Sequence, residues 1–116
     1  MTTTIQQQAQ ETIQQNVHKW CLMLCEALRH DFVRQYDRDE YKFYIAEGGR
    51  KYHKIVMDGH GSRSVHCFVD KNTGEVYKSA SWKAPAKGVR FDLRVIKERE
   101  FVLENCDWAG GYLYAK

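Results

Sequence analysis

Apolar side chains recur at Ile5, Ala9, Ile13, Val17, Trp20, Leu24 and Leu28, in steps of 4, 4, 4, 3, 4 and 4. Side chains at that spacing share one face of an α-helix. The pattern predicts a long amphipathic helix over residues 5–36, with room for one break and with Thr3 or Thr4 as its cap. From Trp20 onward the apolar face widens through Cys21, Leu22, Met23, Cys25, Phe32 and Val33. That half belongs in a core. The earlier stripe, Ile5 to Val17, is thin, and it is expected to pack on another subunit.

After residue 40 the period changes to two. Tyr41, Phe43 and Ile45 alternate with Lys42, Tyr44 and Ala46, the pattern of a strand over residues 41–47. Residues 50–57, 64–70 and 75–79 read as three more strands. Gly48-Gly49, the loop Asp58 to Ser62 and the turn Lys71-Asn72-Thr73-Gly74 separate them, with Gly74 where a positive φ is needed. Ser81 to Gly88 is a loop around the only proline, Pro85. Residues 89–93 are extended or begin a turn, residues 95–105 form a short helix, and Gly110 to Tyr114 form a last strand. The expected fold is α+β, a long N-terminal helix packed on an antiparallel β-sheet meander. The 116 residues make a single domain, helical over 5–36 and mainly sheet over 40–116.

Composition narrows the function classes. The net charge is only +3, so electrostatic attraction must come from local clustering. No apolar run is long enough to span a membrane. The first residues have neither the basic start nor the apolar run of a signal peptide. The expected location is the cytosol, and the four cysteines are expected to be reduced thiols. No Gly-x-Ser-x-Gly turn, His-Glu-x-x-His or Walker loop is present, so no catalytic residues are assigned. His60 and His66 would be the best-placed bases. His66 and Cys67, adjacent on a strand, point to opposite faces and make no dyad. His18, Cys21 and Cys25 share a helix face but lack a fourth ligand nearby, so no metal site and no cofactor is expected.

Between Lys71 and Arg99 lie eight basic residues against three acids, a local excess of five. Trp82 stands in the middle. Its ring offers a stacking face for a base, a contact worth about 1–3 kcal/mol. Arg90 suits a phosphate through its bidentate fork, with Lys78, Lys83 and Lys87 adding charge. Asp92 is placed to accept a ribose hydroxyl or a base N–H. Arg50, following Gly48-Gly49, heads a second basic patch, Arg50 to Lys54, whose start would lie near a ligand; such a run is more often an edge strand kept soluble by charge. The same residues also describe a solvated basic face beside a core tryptophan.

The segment His66 to Leu93, with Val-Asp-Lys, Thr-Gly, Val-Tyr-Lys and Ala-Ser-Trp-Lys-Ala-Pro-Ala-Lys, and the closing Asp107 to Tyr114 resemble small bacteriophage proteins of the Thoeris anti-defence 1 family. The resemblance covers about residues 50–116. It implies a nucleotide sponge that sequesters a cyclic ADP-ribose isomer, and in some members cyclic oligonucleotides at a second site. It further implies a homo-oligomer, a dimer or hexamer, acting in the cytoplasm of an infected bacterium. Its binding segment would fall on Trp82, Lys83, Lys87, Arg90 and Asp92. Two other readings stay open. One is a single-stranded nucleic-acid-binding module, and the other is a phage inhibitor that acts by protein–protein interaction.

Overall fold

A computed structural model describes residues 4–37 and 40–114. One uninterrupted helix, α1 (Ile5–Tyr36), opens the chain. At about 1.5 Å per residue it accounts for the 50 Å longest dimension of the molecule. Thr4 caps it. The Thr4 hydroxyl accepts from the Gln7 N–H, and the Gln7 side chain accepts from the Thr4 N–H. This reciprocal pair satisfies two of the donors that a helix start leaves open.

Five strands follow in chain order: β1 (Lys42–Ala46), β2 (Tyr52–Gly59), β3 (Ser62–Asp70), β4 (Glu75–Lys78) and β5 (Phe91–Asp92). They pair antiparallel in the order β1-β2-β3-β4-β5, the meander expected from the glycine punctuation. Helix α2 (Ile96–Asn105) and a short 3-10 helix (Gly111–Tyr114) complete the chain. The sequence reading made Gly110–Tyr114 a last strand. Instead Tyr112 and Leu113 both turn inward, which a strand's alternation does not allow.

The core lies between one face of the sheet and the two helices. Val17, Cys21, Leu24 and Leu28 of α1 meet Ile55, Cys67, Val69, Val76 and Phe91, and α2 adds Val102. The thin early stripe is covered from Ile13 onward by the chain itself. Only its first turns project, with Ile5 84% exposed.

One turn is tighter than the sequence suggested, and one strand carries a bulge. The five-residue loop expected over Asp58 to Ser62 is a two-residue hairpin, because the strands run to Gly59 and Ser62. His60 and Gly61 both take positive φ, the requirement of a type I′ turn. In β3 an extra residue enters between Val65, opposite Val56, and Cys67, opposite Ile55. His66 is that residue. A bulge breaks the alternation, so His66 and Cys67 turn to the same side and both hydrogen-bond Tyr112. The expectation that they face opposite ways is overturned.

Candidate functional site

The outer face of the sheet, away from α1, carries Tyr44, Tyr52, Lys54, Val56, Phe68 and Tyr77. Their neighbours in sequence supply the core, and the two sets alternate along each strand. Lys54, Phe68 and Tyr77 stand in one cross-strand row. The Tyr52 ring packs edge-on against Phe68 at 5.9 Å and Tyr77 at 5.8 Å. Lys51 Nζ lies 5.3 Å from the Tyr52 centroid.

Trp82 is brought onto this face by a small closed loop. The Ser81 hydroxyl accepts from the Lys83 and Ala84 N–H groups. The N–H groups of Ala80 and Ser81 both donate to Ala84 O, and that of Ala86 donates to Lys78 O. A bridge between Ser79 and Pro85 holds the loop's neck. The loop tip folds back over the sheet, leaving the indole 40% exposed. Lys54 Nζ sits 4.5 Å and the Arg63 guanidinium carbon 5.5 Å from the Trp82 centroid. Lys54 also faces the Phe68 ring at 5.9 Å. Cations over an aromatic face are drawn to its quadrupole, by about 0.5–1 kcal/mol at exposed sites.

Next to the indole a groove of about 230 Å³ is lined by Glu47, Gly48, Gly49, Tyr52, Lys54, Phe68 and Lys83. Lys54 borders both groove and indole, which makes them one surface. Hydrogen bonding and charge from Tyr52 raise the Lys51 pKa, and Tyr44 does the same for Arg63. These groups are therefore cationic throughout the neutral range. Among the described residues Glu47 is the only acid lining the groove. The surface offers ring faces and fixed positive charge. Among the described residues no imidazole or thiol lines the groove.

The residues expected to bind from sequence are only partly brought together. Trp82 and Lys83 share the outer surface. Lys87 is exposed in the following loop, and Arg50 is exposed just before β2. Arg90 is half-buried, and its N–H donates to Val76 O. Asp92 serves the backbone. Its Oδ1 accepts from the Arg94 N–H at 2.9 Å, and Oδ2 pairs with Arg94 Nη2 at 3.4 Å. Lys78 faces the other way, opposite Cys67, with Nζ 4.1 Å from the Tyr114 centroid.

Arg63 is a contributor that the sequence reading does not single out, and Tyr52 and Lys54 enter it only within the second basic patch that Arg50 heads. The alternation of Tyr52, Lys54 and Val56 against His53 and Ile55 would have placed them on one face. Nothing short of the loop geometry would have brought Trp82 to them.

The histidines and thiols lie elsewhere. His18 packs against His53 at 5.3 Å. All four cysteines are free and buried. Burial pushes the Cys25 and Cys106 thiols up to about 12, so neither is a ready nucleophile. Among the described residues no three His, Cys, Asp or Glu side chains gather as a metal would need. No helix among them is long and apolar enough to cross a membrane.

Comparison with curated proteins finds no match, and comparison with solved structures finds none either. Residues 2–115 match the model of a family of unknown function, DUF7717.

Proposed function

We propose that this chain, which belongs to that family of unknown function, captures a small phosphorylated nucleotide on the outer face of its sheet and releases it unchanged. The observation that carries the reading is the exposed Trp82 ring flanked by Lys54 and Arg63 beside a Lys83-lined groove. A base exchanging with one of the covering cations gains a stacking face. The displaced ammonium or guanidinium stays within reach of the phosphate, where charge-assisted hydrogen bonds are about twice as strong as neutral ones. A cyclic ADP-ribose isomer, with one adenine and two phosphates, has the matching composition. In an infected bacterium, its sequestration would deprive a defence effector of its signal, as the resemblance to the Thoeris anti-defence 1 family implies.

Calorimetry with a cyclic ADP-ribose isomer, followed by heating and mass analysis of the released ligand, tests this. Saturable binding and recovery of the intact ligand are expected, with Trp82→Ala and Lys54→Ala each weakening capture about tenfold or more. Absence of binding, or recovery of a cleaved product, overturns it.

A second reading has its own support. Tyr52, Tyr77 and Trp82 place several ring faces on one open surface crossed by cations, the layout of a single-strand platform. An oligonucleotide would bind more tightly as it lengthens and would lose affinity steeply with salt. A mononucleotide-sized ligand saturating at one per chain decides against it.

A further inference from the structure

The helix side of the sheet holds a separate cleft of about 380 Å³, at the end that α1 leaves open, roofed by the 3-10 helix and the segment before it. Among the described residues Lys78 is the one charged side chain in its lining, and no carboxylate among them lines it. The Lys78 ammonium is already positioned over the Tyr114 ring. Ser64 adds a hydroxyl, that of Ser79 donates to Ser81 O, and Trp108 and Tyr114 provide aromatic walls and Met57 and Leu113 apolar ones.

His66 is fixed in the lining. The Tyr112 hydroxyl lies 2.7 Å from Nε2, the two rings stack at 5.6 Å, and the imidazole also hydrogen-bonds the Trp108 backbone. These contacts fix the ring, which makes His66 a rigid wall. The bulge at His66 is what turns it toward this side.

A pocket with apolar and aromatic walls, few polar groups and a single charge selects a ligand of matching pattern. One cation with no carboxylate among the described lining residues, and with Asp107 set behind His66, suits one anionic group; it suits neither a metal ion nor a polyanion. We propose that this cleft is a second ligand site, for a small planar molecule carrying one anionic group, carboxylate or phosphate. Since Lys78 and Trp82 lie on opposite faces of the sheet, the two sites load independently.

The test is a titration of the full chain, followed by amide NMR, with benzoate, phenyl phosphate and benzylamine. Saturable shifts at Ser64, His66, Ser79 and Gly110 are expected with one or both anions and with no effect of the amine. The tighter anion identifies the head group. Lys78→Ala should weaken binding at least about tenfold, and Lys78→Arg should largely restore it. Trp82→Ala should leave it unchanged. Shifts confined to Lys54, Trp82 and Lys83, an equal response to benzylamine, no saturable shift, or unaltered binding by Lys78→Ala overturns the proposal. None of these results depends on whether the outer face binds a nucleotide.

Discussion

Asp92 and Lys54 divide the work differently from what their sequence neighbourhoods suggest. Asp92 stands between Arg90 and Arg94 and looks like a ligand acceptor, yet its carboxylate closes the turn into α2 through the Arg94 N–H. Lys54 looks like a solubilising charge on a strand, yet it lies over the Trp82 ring. Asp92→Ala should therefore lower stability by about 1 kcal/mol in urea unfolding and leave nucleotide affinity intact. Lys54→Ala should do the reverse. If the Asp92 variant folds normally but no longer binds, the assignment fails. Residue types were thus legible in the sequence, whereas their partners were not. Contact between Lys54 and Trp82 depends on how the chain between them returns, and no local pattern encodes that distance.

At the level of elements, legibility follows how many residues carry the signal. Seven apolar positions marked α1, and the glycines at the turns marked the meander. The bulge at His66 rests on a single inserted residue and left no trace in the alternation. Gly110–Tyr114 misleads because Tyr112 and Tyr114, two apart around Leu113 and preceded by two glycines, suit both a strand and a tight 3-10 turn. Gly59 shows the same limit. Its place between Asp58 and Ser62 reads as loop, but it ends β2 beneath the Tyr41 ring, where an added Cβ would overlap a ring carbon. That ring packs in turn on Phe32 and Trp108. Gly59→Ala should cost about 1–3 kcal/mol, read as a lower urea midpoint; an unchanged midpoint would mean that Tyr41 moves freely. The Trp82 loop offers a gentler test. Ser81→Ala removes the acceptor for two N–H groups at the loop tip and should loosen the indole. Global stability should change by less than about 1 kcal/mol, while Trp82 fluorescence anisotropy and nucleotide affinity both fall. Unchanged affinity with a mobile indole would separate the ring from the site.

The whole molecule hangs on α1, which is tied to the rest at both ends. Near its start Gln10 and Gln14 donate to the Asn72 side chain in the β3–β4 turn. Near its end the buried Asp31 carboxylate accepts from Arg34, Gln35 and the Trp108 N–H. Burial alone would raise the Asp31 pKa, but these hydrogen bonds outweigh it and hold the group below the usual carboxylate value. Its stabilising effect is present above the unfolded pKa and fades only as pH falls below about 4. The histidines act in a higher window. Burial lowers His53 to about 4, helped by the charge of Lys71 and then His18. Burial also lowers His66 to about 4, against the opposing pull of Asp107 and the Trp108 backbone. An unfolded histidine titrates near 6.5, so between about pH 6.5 and 4 the unfolded chain binds more protons than the folded one. Stability must then fall as pH falls through that interval, by about 1–2 kcal/mol per histidine at pH 5. Urea midpoints at pH 7.5 and 5 should differ accordingly, and His53→Leu should remove about half of the slope. In the folded chain, imidazole carbon resonances of His66 should titrate well below 6.5. Equal midpoints at the two pH values, or a His66 transition near 6.5, would mean that neither ring is held neutral by the packing described.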